Sequence, residues 1–209
     1  MNGWFASLWS RPRVVFVVRL LATLLFLLFV LRIWSAWMVS RHFNLLLLLY
    51  GEVVTVMVYV MARPAVARGG PLTMAVTFLA TFYFLFVSVQ DGTALLPDDV
   101  TQPMQTVGIA LQIVSKLYLG RSFGLLPANR GIVSRGPYRW VRHPIYLGYF
   151  INHLGFLLST WSPYNAAIYL ALYGFQVFRI LEEEKLLRAS PDYATYMKRV
   201  RYRVLPPLF

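Results

Sequence analysis

The stretch from Gly136 to Gly148, GPYRWVRHPIYLG, concentrates residues that could bind a ligand just before a long apolar run. Pro144 opens that run, and proline is common at the first helical position because an N–H there has no partner within the helix. His143 would then lie at the N-cap, where outward-facing N–H groups and the helix dipole favour an anion. The pattern predicts a ligand-binding helix mouth, with an interfacial belt of arginine and aromatic residues as the alternative.

The helix predicted after this mouth carries polar side chains on one face. Tyr146, Phe150 and His153 follow His143 at spacings that place them along a single stripe. Polar groups facing hydrocarbon are costly, so the polar side chains of a membrane helix usually face the interior of the helix bundle. We therefore expect this stripe to line a cavity.

Three consecutive glutamates, at positions 182–184, follow the last apolar run. On a helix, Glu183 would pair with Arg179 and Glu184 with Arg188, both four residues apart. These local pairs account for at most two carboxylates, so the arginine-rich segment 121–142 is the expected remote partner. We expect one glutamate to face inward and hold a cation, or the amine and ribose groups of a cofactor. The alternative is the solvated start of a cytoplasmic helix.

The composition of the 209 residues, 58% hydrophobic and 13% charged, indicates an integral membrane protein. Soluble domains are about 45–50% apolar and about 25% charged. The formal net charge of +12 would suit nucleic acid, but the basic residues cluster between apolar runs, as in cytoplasmic loops. We therefore expect membrane lipids, and no nucleic acid, as partners. With no cysteine and three histidines far apart in sequence, we expect no metal site.

The predicted fold class is all-α, with about six transmembrane helices and a cytoplasmic C-terminal helix. The predicted spans are about 14–31, 43–62, 72–90, 104–119, 144–160 and 164–181. Only residues 161–163 separate the last two, which predicts a tight antiparallel hairpin. Glu52 lies near the middle of the second span and should face the bundle, as a substrate or proton site or as an interhelical contact. Polar residues also occur toward the end of the fourth span: Gln112, Ser115 and Lys116.

The distribution of charge orients these spans. With both termini in the cytoplasm, only Arg32 and Arg41 fall on the far side, and so does the acidic loop 91–103. This arrangement follows the positive-inside rule, and we expect an integral protein of a bacterial inner membrane. The helix mouth and the C-terminal segment then meet on the cytoplasmic face. No internal repeat is visible, which disfavours an inverted-repeat transporter.

The helix mouth, a following hairpin, EEEKLL and a Tyr-x-x-Tyr pair together resemble the isoprenylcysteine carboxyl methyltransferase family of integral membrane enzymes. The resemblance covers about residues 104–207 of a single membrane domain, 1–209. We therefore divide the chain into an unmatched acceptor-side part, 1–103, and a methyltransferase-like part, 104–209. Family members carry Phe-Gly after the glutamates, whereas this chain has ASPD. The spacing of EEKLL favours Glu183 and Glu184 as the family pair, with Glu182 as the alternative member.

The resemblance implies S-adenosylmethionine as cofactor, bound on the cytoplasmic side between the helix mouth and the C-terminal segment. The expected cofactor-binding residues are Tyr138, His143, Pro144, Tyr146, Gly148, His153, Glu183 and Glu184. The expected catalytic residues are Arg142, Arg179 and Glu183. Methyl transfer from a sulfonium needs alignment and desolvation more than acid–base catalysis, and an arginine would orient a carboxylate acceptor. An amine acceptor would instead require a base or a carboxylate, either Glu52 or a glutamate of the C-terminal segment.

We therefore predict an S-adenosylmethionine-dependent methyltransferase that acts on the carboxylate of a prenylated or lipid-like acceptor. The acceptor would be a lipophilic small molecule or a lipidated one that enters from the bilayer. One alternative is a nicotinamide-dependent membrane reductase of the sterol-reductase-like type, since the basic helix mouth could also bind a phosphorylated dinucleotide. The other is a non-enzymatic membrane transporter or scaffold.

Overall fold

The computed structural model describes residues 12–63, 70–88 and 92–209, and within them the chain is helical. The α-helices are α1 Pro12–Ser40, α2 Phe43–Val60, α3 Pro71–Thr81, α4 Asp98–Leu119, α5 Pro144–Ser159, α6 Pro163–Leu187 and α7 Pro191–Arg199. Short 3-10 helices cover Tyr83–Leu85, Gly120–Ser122 and Gly136–Arg139. A single bridge between Thr93 and Trp161 is the only β pairing in these ranges. The predicted all-α class is confirmed.

Two helices of the described chain are long and apolar enough to cross a membrane, at Leu20–Val39 and Phe43–Val60. Large apolar side chains are exposed along both, including Leu28, Leu31 and Val53, as expected for surfaces that face lipid. The predicted first span is a helix that continues well past residue 31 to Ser40. The count of six spans stays a prediction.

The prediction of one continuous third span over 72–90 is wrong. Helix α3 has 11 residues, a length of about 16 Å, and a 3-10 turn follows it. In this conformation Phe82 and Phe84 pack on Phe26 and Phe29 of α1, with ring centroids 5.8 and 3.9 Å apart. Aromatic packing thus replaces the last turns of the expected helix. Residues 89–91, at the end of that span and the start of the acidic loop, lie outside the described residues.

The predicted acidic loop 91–103 is wrong from Asp98 onward, because Asp98 and Asp99 form the first turn of α4. Carboxylates at a helix N-terminus are stabilised by the helix dipole, so these residues favour an earlier helix start. The fourth helix is therefore longer than predicted, at 22 residues.

Helices α4 and α5 pack with their backbones in close contact. A Cβ on Gly148 would lie 2.7 Å from the Gly108 carbonyl oxygen, and one on Gly155 would lie 3.0 Å from that of Thr101. Small residues permit this approach, as they do in many membrane helix pairs. Helix α5 therefore packs against α4 along its length.

The predicted tight hairpin of the last two long helices is not confirmed. Helix α6 starts directly after α5, but it packs on α3 rather than along α5. Aromatic side chains fill the space between the two helices: Phe150 contacts Tyr173, and Phe156 contacts Tyr169. These rings hold the helices apart and leave room for a cavity.

The segment after α6 folds back onto the helix mouth. Helix α6 continues to Leu187, as predicted for a direct continuation of the last span. Helix α7 then buries Tyr193 and Tyr196 against Tyr138, and the Tyr196 hydroxyl donates a 2.6 Å hydrogen bond to the Tyr138 carbonyl. This contact brings the two polar motifs of the sequence together.

Candidate functional site

A cavity of about 610 Å³ runs between the helices from the helix mouth toward α1. At the helix mouth its wall includes Tyr138, His143, Tyr146 and Arg179, together with Glu183. Deeper residues come from five other places in the chain: Phe26, Glu52, Tyr83, Gln112 and His153. One continuous space therefore joins the helix mouth and Glu183 to the interior of the bundle.

Glu184 lies at the centre of four basic side chains and is 1% exposed. Its carboxylate oxygens lie 2.8 Å from Arg142 Nε, 3.3 Å from His143 Nε2 and 3.1 Å from Arg203 Nε. Arg188 adds a fourth contact at 3.5 Å, which confirms the predicted pair four residues apart. The Arg142 contact also confirms that the arginine-rich segment supplies a remote partner for the glutamates.

The pKa of Glu184 is lowered from its usual value to about 2. Burial alone raises this pKa, but the hydrogen bond with His143 and the charges of His143, Arg142 and Arg203 outweigh burial. Glu184 is therefore ionised at neutral pH and holds these basic groups in place.

Arg142 joins the helix mouth to the C-terminal segment. Its Nη1 donates to the carbonyls of Val200 and Arg201 at 3.0 and 2.9 Å. Its backbone N–H donates to Tyr202, and that of His143 donates to Arg203, at 2.9 and 2.8 Å. Arg142 is therefore hydrogen-bonded both to Glu184 and to the backbone of the C-terminal segment.

The three neighbouring glutamates have different surroundings. Glu183 is half-buried and lines the cavity, whereas Glu182 accepts a hydrogen bond from Thr73 and lies 3.7 Å from Lys185 Nζ. Burial and the nearby Glu183 charge raise the pKa of Tyr138. Of the three carboxylates, Glu183 is the one that reaches the cavity.

Arg179 does not form the predicted ion pair with Glu183. Instead its Nη2 donates to the Leu125 carbonyl at 2.9 Å, and its guanidinium lies 5.7 Å from the centroid of the Tyr146 ring. Its Nε is buried and has no hydrogen-bond partner among the described residues. The Leu125 carbonyl thus takes the place of the Glu183 carboxylate as a partner of the guanidinium. Arg179, Tyr146 and Glu183 nevertheless line the same cavity.

His153 lies far from the helix mouth. It follows His143 by ten residues, which is about 15 Å along a helix. Its Nε2 lies 2.6 Å from the Tyr83 hydroxyl, and its Nδ1 lies 3.0 Å from that of Tyr173. Both ring nitrogens therefore have protein partners. Phe150, predicted on the same face, packs against Tyr173.

The remaining predicted residues of the helix mouth are buried. Pro144 begins α5 as predicted, with His143 at its N-cap. Gly148 lies where α5 touches α4, and its Cα faces Gly108 and Gln112 rather than the cavity. The structure thus assigns Gly148 a place in helix packing.

Several buried polar groups were not predicted as part of the site. Lys116 is 1% exposed, donates a 2.7 Å hydrogen bond to Thr55 Oγ1, and lies 5.6 Å from the Tyr149 ring centroid. Gln112 lines the cavity one turn earlier on α4. In the sequence, Gln112 and Lys116 are recognisable as polar residues within an apolar run. Tyr83 has no such signal, because it belongs to a run of aromatic residues.

Comparisons with known proteins agree with the motifs. Residues 103–189 match the model of the isoprenylcysteine carboxyl methyltransferase (ICMT) family. The chain is also similar to the structure of the eukaryotic intramembrane Ras methyltransferase ICMT without a monobody, with a TM-score of 0.53 and 19% identity. That likeness covers 79% of this chain and 65% of the other, so the chain spans less than two thirds of that relative. No curated protein matches.

Proposed function

We propose that this chain, whose residues 103–189 match the model of the isoprenylcysteine carboxyl methyltransferase family, is a member of that family and methylates the carboxylate of a prenylated or lipid-like acceptor with S-adenosylmethionine. The observation that carries this proposal is the single cavity that joins Glu183, Tyr146 and Arg179 to the apolar interior of the bundle. A soluble cofactor and a lipophilic acceptor can meet only in a space that is open to both. The reductase and transporter alternatives have no comparable support.

The residues at the helix mouth fit the cofactor. The Tyr193 hydroxyl is buried and lines the cavity, but it has no hydrogen-bond partner within the described part of the chain. Glu183 offers a carboxylate for the amine or ribose groups, and Tyr138 and Tyr146 offer ring faces that attract a sulfonium. His143 completes this wall. When bound, S-adenosylmethionine supplies an electrophilic methyl group.

Arg179 is the residue that we assign to the acceptor carboxylate. Its contacts with Leu125 and Gln176 fix the guanidinium beside Tyr146, while the buried Nε remains without a partner in the described residues. A fixed arginine orients a carboxylate and requires little reorganisation during the reaction. The Tyr146 ring beside the guanidinium limits the access of water, which strengthens these interactions. Arg142, in contrast, positions His143 and the C-terminal segment.

We further propose that six spans place both termini and the helix mouth on the cytoplasmic side of a bacterial inner membrane. The basic residues of 121–142 and of the C-terminal segment support this orientation, since positive charge is retained in the cytoplasm. A topology reporter inserted at 93–96 should be found outside the cytoplasm. Cytoplasmic labelling there would overturn the orientation.

Glu183→Gln tests the cofactor site, with Lys185→Gln as its matched control on the same helical turn. Glu183 lines the cavity, whereas the Lys185 side chain is 77% exposed. Leaving a buried polar partner unpaired costs about 1–3 kcal/mol, so we expect Glu183→Gln to weaken S-adenosylmethionine binding about 5- to 150-fold. The control should stay within about twofold of wild type.

Calorimetry with the purified protein measures both affinities, and cofactor-induced thermal stabilisation gives an independent readout. Transfer of a labelled methyl group to a prenylated carboxylate then tests the reaction. Wild-type cofactor affinity in Glu183→Gln would remove this glutamate from the site. Absence of any S-adenosylmethionine binding to the wild-type protein would refute the proposed function.

A further inference from the structure

The helix mouth has an outward face that takes no part in the cavity. Tyr138 and His143 are buried and line the cavity, whereas Arg139 and Trp140, which lie between them in sequence, are exposed. The Trp140 side chain is 71% exposed. The side chains of Arg139 and Trp140 form no hydrogen bond or ion pair with the described residues. A large aromatic ring and an arginine are therefore presented together to the surroundings of the protein.

The C-terminal segment adds further basic residues beside this face. The backbone N–H groups of Arg142 and His143 donate to the carbonyls of Tyr202 and Arg203. The Arg199 guanidinium also donates to the Ser134 carbonyl at 3.3 Å. The stretches 134–143 and 199–203 therefore run side by side. We call their exposed side chains the basic face: Arg135, Arg139, Trp140, Arg199, Arg201 and Tyr202.

No carboxylate of the chain balances the charge of the basic face. Neither of its two stretches contains an acidic residue. After Glu184, which is buried and already shared by four basic groups, the only acidic residue is Asp192. Asp192 lies in the first turn of α7, whereas Arg199 lies in the last. Residues 1–11 and 64–69, outside the described ranges, contain no acidic residue either. The balancing negative charge must therefore come from another molecule.

Two exposed tryptophans indicate the depth of the basic face in the membrane. Helix α5, one of the six proposed spans, begins four residues after Trp140 and ends two residues before Trp161. Its 16 residues are about 24 Å long, and Trp161 is 37% exposed. Tryptophan is enriched at the two boundaries of a hydrocarbon core about 30 Å thick. Trp140, and the basic face with it, therefore lies at the level of the lipid headgroups.

We propose that the basic face binds the phosphate groups of anionic phospholipids in the adjacent leaflet. Arg139 and Arg201, whose guanidinium groups have no partner within the described part of the chain, are the expected phosphate ligands. Trp140 inserts among the headgroups, where one edge of its ring meets lipid and the other meets water. The depth of this indole favours a lipid surface over a soluble acidic protein.

Binding of anionic lipid also has a mechanical consequence. Arg139 belongs to the helix mouth and Arg201 to the C-terminal segment, so lipids that bind both connect the two stretches from outside. Glu184 connects the same two stretches from inside, through Arg142 and Arg203. Anionic lipid should therefore hold the C-terminal segment against the helix mouth. This inference goes beyond the proposed function and does not depend on the reaction.

Thermal unfolding without cofactor tests the lipid site. The protein in neutral detergent micelles is titrated with phosphatidylglycerol or with phosphatidylcholine of the same acyl chains. Phosphatidylglycerol should raise the Tm to a plateau, and phosphatidylcholine should not. Arg139→Gln and Arg201→Gln should each raise the phosphatidylglycerol concentration for half of the effect about fivefold. Both side chains are exposed, so the Tm without phosphatidylglycerol should equal that of wild type.

Lys185→Gln is the matched control, because its side chain is 77% exposed and lies outside the basic face. It should stay within about twofold of wild type. Glycerol phosphate, which has the phosphate but no acyl chains, distinguishes a lipid from a free phosphate ester. It should have no effect at the concentrations at which phosphatidylglycerol acts.

Limited trypsin digestion gives an independent readout of the C-terminal segment. The Arg201 carbonyl accepts a hydrogen bond from Arg142, so cleavage after Arg201 requires this segment to detach. Phosphatidylglycerol should slow this cleavage at least about fivefold, as followed by mass spectrometry. Arg139→Gln keeps the cleavage site but should lose most of this protection.

Three results would overturn the proposal. One is equal stabilisation by phosphatidylcholine and phosphatidylglycerol, or a full phosphatidylglycerol effect in both arginine variants. Another is equal stabilisation by glycerol phosphate, which would assign the basic face to a soluble anion. The third is stabilisation by polyglutamate but not by phosphatidylglycerol, which would assign it to an acidic protein. None of these results bears on the methyltransferase proposal, because neither assay contains cofactor or acceptor.

Discussion

Replacing Glu184 by glutamine removes the one carboxylate shared by the four basic side chains. Arg142 and Arg203 lie 2.8 and 3.1 Å from its oxygens, and Glu184 is 1% exposed. Breaking a buried ion pair by removing one partner costs about 3–5 kcal/mol. Glutamine keeps one acceptor oxygen, so we expect about 3 kcal/mol of destabilisation, at the lower end of this range. For a chain of this size, this loss lowers the Tm by about 6–12 °C.

The assay is thermal unfolding of the purified protein without cofactor, followed by tryptophan fluorescence. Glu182→Gln is the control, because the Glu182 side chain is 28% exposed and contacts only Thr73 and Lys185 in the described ranges. The control should shift the Tm by less than about 2 °C. Equal shifts in the two variants would show that the Glu184 contacts do not hold the C-terminal segment in place.

The same variant gives a pH dependence with a definite sign. The folded-state pKa of Glu184, about 2, lies below its usual value of 4.5. The ionised carboxylate therefore stabilises the folded protein above about pH 4.5, and this contribution is lost as the pH falls toward 2. The Tm difference between wild type and Glu184→Gln should be constant near neutral pH and shrink below about pH 4.5.

Two further substitutions test the packing of the long helices. Gly148→Ala places a Cβ 2.7 Å from the Gly108 carbonyl oxygen and should cost about 1–3 kcal/mol, whereas Gly174→Ala has open space and should stabilise by up to about 1 kcal/mol. Similar Tm values for the two alanine variants would contradict the close α4–α5 contact. Ser162→Ala removes the oxygen that accepts a hydrogen bond from Asn165 N at 3.1 Å, and should cost about 1 kcal/mol in chemical denaturation. An unchanged midpoint would show that α6 does not depend on this cap.

The helix mouth could be predicted from sequence because its signals are local. Pro144 marks the start of α5, because proline is common at the first helical position, and the residue before it, His143, is then the N-cap. The spacing of Glu184 and Arg188 is likewise sufficient to predict their contact. The apolar run around Glu52 predicts that its side chain faces the bundle, and its burial confirms this. Each of these features depends only on residues within one helix or on the apolar run that surrounds it.

The parts that sequence reasoning missed depend on contacts between distant segments. The end of α3 is decided by Phe82 and Phe84, whose rings pack on α1 instead of extending a helix. The direction of Arg179 is decided by the Leu125 carbonyl, a loop acceptor that no spacing rule identifies. Which glutamate reaches the cavity depends on the rotation of α6 against α3, and a run of three identical residues contains no information about that rotation.

The Glu184 contacts also limit how this chain can be recombined with its relatives. The basic partners come from Arg142 and His143 at the helix mouth, from Arg188 after α6 and from Arg203 near the C-terminus. A hybrid protein that exchanged one of these stretches alone would bury an unmatched charge, so the stretches must be inherited as a set. Helices α1 to α3 supply none of the four basic groups, although they form part of the cavity wall. A crossover just before α4 would therefore exchange the part of the cavity wall that α1 to α3 form and leave the Glu184 contacts assembled.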